Sequence, residues 1–400
     1  MKERYKIKKL YIFLILFLVL LLSCTNIKRF NNRYIIKQIS VSNEKLCDNG
    51  NSTKLLIALN ESIDYLSAHP NKVFIFNYKP IKAIKLKHSL IKLKLLVKQH
   101  KKLCLSDLKK YFYIYTISKN EGWLESIIDF LLNRNKNKNK VLITGYFEPI
   151  LQASYRKTEE FKVPIYAPPS DLVQVYLPLF DKTLPNKSLW GRIYNGRLIP
   201  YFTREEIEKR IKEKKLNAKA IAWLKSPIDL LVLQIQGSAI LDIDGTKRFI
   251  HYAASNGRPY VSIGRILLDK GILSFNKLSW QSIREWAKEN PEIFSKILKK
   301  NPRYIFFKWE KNGPLGSLGL PLVPMRTIAM DHTIYPSFLI VFVTIKTKTK
   351  RMNLITINFD QGAAIKGYRR IDLYCGSGKA AGALAGSLKC YSKVYFLVPK

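Results

Sequence analysis

The hydrophobic pattern changes period several times along the chain. From Lys54 to Ser67, Leu55, Leu56, Leu59, Ile63 and Leu66 recur at helical spacing, with Ser52 or Thr53 as cap, so a helix is predicted there. Ile84-Lys85-Leu86-Lys87 and Ile91-Lys92-Leu93-Lys94 alternate instead, which predicts strands with a cationic face. Residues 106–131 return to a helical pattern, and the Asn/Lys run 133–140 reads as a polar loop. Val141 to Pro149 predicts a strand running into a turn. Thr203-Arg204-Glu205-Glu206 is a capping box that opens a helix. Asp229 to Gln236 reads as an apolar strand, and Asp242-Ile243-Asp244-Gly245 as a hairpin turn. Helices are predicted at 279–289 and 292–299, split by Asn290-Pro291. The last quarter, from Asn301-Pro302, is strand-rich, and its β-branched run Leu354–Phe359 ends at Asp360.

The N-terminus is of another kind. Lys2, Arg4, Lys6, Lys8 and Lys9 precede an apolar core from Tyr11 to Leu22. That core is short of the roughly 20 residues that a transmembrane helix needs, and it reads as a secretory signal. It ends at Leu21-Leu22-Ser23-Cys24, which resembles a bacterial lipobox with Cys24 as the lipidated first mature residue. Thr25 follows, and the absence of Asp there resembles lipoproteins sorted to the outer membrane. The expected address is the periplasmic face of that membrane, with residues 24–50 as a linker.

Charge adds a partner question. Residues 1–23 take away five basic residues and one acid, leaving 64 Lys and Arg against 28 Asp and Glu, or +36. Between Asp64 and Asp107 there is no acid, while ten lysines occur. Nucleic acid is the usual partner of such a surface, but an exported lipoprotein does not ordinarily meet any. Anionic envelope polymers such as peptidoglycan fit the address better, and a solvated face would look the same. Cys47, Cys104, Cys375 and Cys390 permit two disulfides in an oxidising compartment, with nearest-neighbour pairing as one arrangement. The five histidines are scattered and no CxxC occurs, so neither a metal nor another cofactor is called for.

Two aspartates carry the candidate chemistry. Asp360 closes its strand beside Gly362 and Gly367, and Asp372 lies between Ile371 and Leu373, ahead of Gly376 and Gly378. Its side chain therefore points to the face opposite theirs. A carboxylate on a rigid strand beside an open Gly-rich surface suits acid–base chemistry, although Asp before a small residue also marks ordinary turns. Phe249 to Tyr260 is aromatic and polar, which suits a sugar or a hairpin packed on a core. His251 and His332 read as packing or hydrogen-bonding residues.

Taken in order, the motifs resemble the membrane-bound lytic murein transglycosylase A family. They are Thr144-Gly145-Tyr146-Phe147-Glu148-Pro149, Leu233 to Ser238, Tyr252 to Tyr260 with Ser262 to Arg265, Asn301 to Phe307, Pro321 to Pro324 with Asp331, and Gly362 to Gly367 before Asp372. Residues 25–139 match poorly. Ala363 stands where a glycine is common, and Cys375 is atypical at a variable position.

The resemblance implies a mainly β enzyme with N-terminal helices. A double-psi β-barrel domain would be built from 51–147 and 301–400, and 148–300 would form a second, inserted β-domain that binds substrate. The resemblance also implies that Asp372, in Asp372-Leu373-Tyr374-Cys375-Gly376, is the catalytic acid. Asp360 would assist it, with Thr144, Tyr146, Gln236, Gly237, Ser238, Asp331 and Lys366 contacting peptidoglycan glycan strands. The implied reaction cleaves the β-1,4 bond between N-acetylmuramic acid and N-acetylglucosamine with 1,6-anhydromuramic acid as product. A non-catalytic peptidoglycan-binding lipoprotein is the alternative. A two-aspartate acid hydrolase would need a second Asp-x-Gly loop, and Asp331-His332-Thr333 is not one.

Overall fold

The computed structural model describes residues 34–41, 46–120, 139–185, 187–274, 280–347, 350–362 and 364–400. The signal segment, Cys24, the predicted helical stretch beyond Asn120, most of the polar loop and Ala363 lie outside them. Among the described residues no helix is long and apolar enough to cross a membrane.

The chain starts with strand β1 (Tyr34–Gln38), helix Ser52–Ala68, the hairpin β2 (Val73–Phe76) and β3 (Lys79–Lys82), and helix Ala83–Gln99. Next come β4 (Phe112–Lys119), β5 (Val141–Glu148), β6 (Ile150–Ser154), β7 (Val163–Tyr166), β8 (Val173–Tyr176), β9 (Ser188–Tyr194) and β10 (Arg197–Pro200). Helix Arg204–Lys212, β11 (Ala220–Leu224) and helix Pro227–Gln236 lead to the hairpin β12 (Ser238–Ile243) and β13 (Thr246–Ser255). Three helices follow, at Ile263–Asp269, Trp280–Glu289 and Pro291–Lys299, before β14 (Ile305–Glu310). The C-terminal part holds β15 (Thr327–Ala329), β16 (Leu339–Lys346), β17 (Arg351–Asp360), β18 (Arg370–Ser377), helix Gly378–Ser387, β19 (Lys389–Ser392) and β20 (Val394–Pro399).

Nine strands form one sheet in the order β1-β4-β20-β16-β17-β15-β18-β5-β19. Both ends of the chain supply it, and its strands β20 and, up to Ile345, β16 are buried and read as near-continuous apolar runs. Its core takes in the helices Ser52–Ala68 and Ala83–Gln99, through Leu59, Leu90 and Leu93 among others. A second sheet, β14-β13-β12-β6-β11-β7, is built from the intervening residues and has its own core around Leu233, Leu241 and Phe307. β5 runs almost directly into β6, so the two sheets meet at Glu148-Pro149. A closed barrel is not seen: among the described residues the nine-stranded ladder ends at β1 and β19. The four-residue β19 lies against β16 without pairing to it.

Several expected elements take a different form. The lysine-rich alternations lie in one helix, Ala83–Gln99, because Leu86, Leu90, Leu93 and Val97 give it a buried stripe at helical spacing. Asp229–Gln236 is also helical. Ser226 caps that helix by accepting from the Asp229 amide, and Pro227 starts it. Phe112–Lys119 is a strand rather than a helix, in keeping with its aromatic and β-branched content. Residues 34–38 of the expected linker pair with β4. The first helix is capped by Asn51, one residue before the expected Ser52. Cys47 and Cys104 are bridged, whereas Cys375 and Cys390 are free thiols. The capping box at Thr203 forms as read, and so does the hairpin turn, where Asp244 and Gly245 have positive φ.

Candidate active site

β18 carries Asp372 between two neighbours. It runs parallel to β5 with Asp372 opposite Thr144, and antiparallel to β15 with Asp372 opposite Ala329. Opposed residues share a face, so Thr144 can reach the carboxyl. Its hydroxyl donates to Asp372 Oδ1 at 2.6 Å. Oδ2 makes no hydrogen bond to the protein among the described residues, and the residue stays half-buried. After Tyr374 the β18–β5 register shifts, and Gly376 adopts φ +112°, a conformation open to glycine.

Asp360 is buried at the end of β17 and surrounded by donors. Tyr146, two residues after Thr144 on the same face of β5, donates its hydroxyl to Oδ2 at 2.6 Å. The backbone amides of Ser317 and Gln361 each donate to Oδ1 at 2.8 Å. Gly316 brings the chain this close: a Cβ there would stand 2.9 Å from Leu322 and 3.4 Å from the Asp360 carboxyl. The Tyr146 and Tyr374 rings lie 5.3 Å apart, and Tyr374 is fully buried.

The two aspartates differ in electrostatics. Burial pushes the Asp372 carboxyl up to about 6; the Thr144 bond and Arg370 oppose the shift, and the charge of Asp360 adds to it. Burial raises Asp360 as well, but Tyr146, Ser317 and Gln361 all favour its ionised form. Three donors therefore favour the charged form of Asp360, against one for Asp372. Tyr146 is raised well above the ordinary tyrosine value, by burial first and then by Asp360, so it stays a donor.

The seam between the sheets adjoins this pair through Phe147 and Glu148. Gln236 ends its helix and accepts through Oε1 from the Phe147 amide at 3.2 Å, which fixes the side chain against β5. Gly237 caps that helix in the left-handed conformation, φ +86°. Ser238 donates to Glu148 Oε2 at 2.6 Å, both side chains being buried. Burial pushes the Glu148 carboxyl up to about 8, against the Ser238 bond and with Asp360 adding to the rise.

Thr144, Tyr146, Asp360 and Asp372 are thus brought together, with Gln236, Gly237 and Ser238 at the adjoining seam. Asp331 sits on the segment between β15 and β16, and Lys366 on the loop that follows Asp360. Asp331 accepts from the amides of Thr333 and Gly367 and from the Thr333 hydroxyl, and pairs with Lys366 at 3.6 Å. Burial acts to raise the Asp331 carboxyl, but these donors outweigh it and hold it below the usual range. The contacts of Asp331 named here tie the β15–β16 segment to the loop after Asp360. The ring nitrogens of His251 lie 3.1 Å from the carbonyl oxygens of Leu315 and Tyr252, and one of them donates. Asn256 is fully buried and donates to the Phe202 and Pro302 carbonyls, so this stretch packs as a hairpin. Glu148, the Ser317 amide and Arg370 were missed by sequence reasoning. A carboxylate between Phe147 and Pro149-Ile150 was the available signal for the first.

Comparison with known proteins follows the same division. The "MltA specific insert domain" matches residues 142–308 and the "3D domain" matches 326–398. A membrane-bound lytic murein transglycosylase A homolog of Buchnera aphidicola is 30% identical over 351 residues, 80% of this chain and 87% of that protein. The chain belongs to the membrane-bound lytic murein transglycosylase A family. The Vibrio cholerae relative, membrane-bound lytic murein transglycosylase A, is 28% identical over 66% of this chain and 67% of its own length. The membrane-bound lytic murein transglycosylase structure from Agrobacterium tumefaciens superposes with a TM-score of 0.71 at 26% identity, covering 91% of this chain and 98% of that one. The chain is an enzyme of this family, and in it the two aspartates come from the 3D domain while Thr144, Tyr146 and Gln236 come from the segment matched by the insert domain.

Proposed function

We propose that the protein is a peptidoglycan lytic transglycosylase in which Asp372 alone serves as acid and then as base. The observation that carries this reading is the asymmetry of the pair. Asp372 has one protein partner and a free Oδ2, whereas three donors hold Asp360. In the first step Oδ2 gives its proton to the oxygen linking N-acetylmuramic acid to N-acetylglucosamine. The C1–O bond breaks, and the glucosamine residue leaves as an alcohol. The Asp372 carboxylate then removes the proton from the muramoyl C6 hydroxyl, whose oxygen bonds C1 of the same ring. The product is a 1,6-anhydro sugar, the proton is back on Asp372, and no water is consumed. A hydrolase would need a second carboxylate to activate water or attack C1. Here Asp360 has both oxygens engaged by the protein, and its role is to hold charge near Asp372.

The acid form is needed first, so the sign of the pH dependence is fixed. Below about 6 Asp372 keeps its proton, and as pH rises through that value the fraction able to start the reaction falls. The seam supports glycan binding: Gln236 has its Nε2 without a protein partner among the described residues, within reach of a sugar hydroxyl. Asp331 and Lys366 are read as holding the loop that shapes one end of the groove. Domain organisation is read as expected, with a catalytic unit from both chain ends and an inserted substrate unit. The approach of β19 to β16 supports a six-strand ring of the double-psi kind. The lipobox supports anchoring through Cys24 to the periplasmic face of the outer membrane.

Turnover of isolated murein sacculi by two isosteric variants tests the assignment. Asp372→Asn can neither give nor take the proton and should lose about 10⁴-fold or more, since general acid–base catalysis contributes about 10²–10⁴-fold per role. Asp360→Asn should lose less, and the pH above which its activity falls should be lower than in the wild type. Equal losses would overturn the division of roles. Sacculus binding without turnover by the wild type would favour a binding protein.

A further inference from the structure

The acid-free, lysine-rich stretch is not used by the reaction. In the fold it forms the hairpin β2–β3 and the helix that follows. Along β2 the side chains alternate: Phe74 and Phe76 are buried, while Val73 and Ile75 stand 52% and 56% exposed. Across the hairpin Val73 faces Lys82 and Ile75 faces Pro80, so the outer face is apolar with a cation at its edge. The turn residues Asn77 and Tyr78 both have positive φ, and Tyr78 is 80% exposed with its side chain hydrogen-bonded to Tyr368. Lys79 follows directly. None of the ten lysines between Asp64 and Asp107 makes an ion pair among the described residues. The hairpin also sits beside the start of the described chain, since Asn77 Nδ2 donates to the Ile36 carbonyl of β1 at 3.2 Å.

We infer that the outer face of the β2–β3 hairpin, Val73 and Ile75 with Lys82 at its edge and Lys79 beside the turn, docks on an anionic lipid bilayer. Three observations select that occupant. An exposed apolar face edged by unpaired cations matches the acyl–headgroup boundary of an anionic membrane, where apolar side chains insert and lysines meet phosphates. A second copy of the chain would bring the same lysines face to face, which like charge opposes. Ten residues separate Cys24 from Tyr34, a reach of at most about 35 Å for extended chain, so a bilayer that holds the proposed anchor lies within reach of β1 and of the hairpin beside it. This last observation rests on the anchoring proposed above; the face itself does not.

The consequence is orientation. A tether alone would leave the enzyme free to tumble above the bilayer, whereas tether and hairpin together give two contacts and fix which way the groove faces. Two weak attachments on one rigid body act cooperatively through effective concentration.

Hydrogen exchange of the full chain tests this with three probes: vesicles of phosphatidylethanolamine with phosphatidylglycerol, vesicles of phosphatidylcholine, and isolated sacculi. Amides of residues 72–82 should slow at least tenfold with the anionic vesicles and not with the neutral ones. The protection should disappear in Val73→Ser/Ile75→Ser and in Lys79→Glu/Lys82→Glu, with turnover of soluble murein fragments unchanged. Cys24→Ser separates the two proposals. If lipidation is absent but the face is correct, anionic vesicles still protect 72–82 in that variant. Co-flotation of the lipidated chain with unchanged exchange at 72–82 would overturn the docking face and leave the anchor standing. Protection by sacculi alone, or by raised protein concentration without vesicles, would also overturn it, in favour of the wall or of a second copy.

Discussion

Glu148 shows how one residue can link the two sheets. It closes β5, two residues after Tyr146, and holds Ser238 at the start of β12. Its carboxyl is raised to about 8 from an ordinary 4.5, chiefly by burial, so near neutrality it is uncharged. The native state then binds a proton that the unfolded chain releases. Stability from this group is complete below about 4.5 and is lost as pH rises through about 8, by at most ~1.4 kcal/mol per pH unit. Glu148→Gln keeps the shape and can still bond Ser238, but has no proton to lose. Urea midpoints between pH 5 and 9 should therefore fall more steeply for the wild type than for the variant. Parallel curves would mean that Glu148 is ionised in the fold. The motif Thr144–Pro149 made the position visible, yet nothing in it told that Ser238, ninety residues away, would be the partner. Asp372 was more legible, because an aspartate inside an apolar strand has few bland explanations. Asp331 was legible as a polar loop residue, but its bonds to Thr333 and Gly367 depend on a loop shape that no local pattern encodes.

Among elements, β5 and the helix Gly378–Ser387 form the support of the site. The helix packs on β5 through small residues. A Cβ on Gly145 would stand 2.8 Å from the Ala385 backbone and 2.8 Å from Cys375 Sγ, whereas one on Gly386 would meet nothing within 4 Å. Gly145→Ala should therefore cost about 1–3 kcal/mol, as overpacking does, and lower turnover because β5 carries Thr144 and Tyr146. Gly386→Ala, in the same helix, should leave turnover unchanged and raise stability by about 0.5–1 kcal/mol. Thermal melts with sacculus turnover separate them; similar behaviour of the two variants would deny the close approach. Elements were read unevenly from the sequence. The four-residue alternations around Lys85 and Lys92 suggested strands, but the stripe Leu86–Leu90–Leu93–Val97 that makes the helix spans a longer window. The run Leu230–Ile235 is apolar at every position except Gln234, so periodicity could not tell helix from strand. Ser226-Pro227 was the deciding signal there.

At the scale of the whole molecule, distant parts of the chain fasten the nine-stranded sheet. Arg326, fully buried just before β15, makes a two-point ion pair with Asp48 at 2.8 and 2.9 Å. The adjoining Cys47–Cys104 bridge closes a separation of 57 residues, worth roughly 4 kcal/mol on chain-entropy grounds. Residues 34–41 and 46–50 of the expected linker are therefore fastened to the core, which the linker's polar composition concealed. Family motifs revealed the order of blocks from residue 140 to the end, while the pairing of β1 with β4 and the approach of β19 to β16 had no local signature.

The central claim is that Asp372 lets the muramoyl C6 hydroxyl, and not water, complete the reaction. Digestion of sacculi in water enriched in oxygen-18, followed by mass analysis of the released muropeptides, tests it most directly. The expected products are lighter by one water than hydrolytic ones, carry no heavy oxygen and have no new reducing end. Muropeptides with a labelled reducing muramic acid would contradict the mechanism.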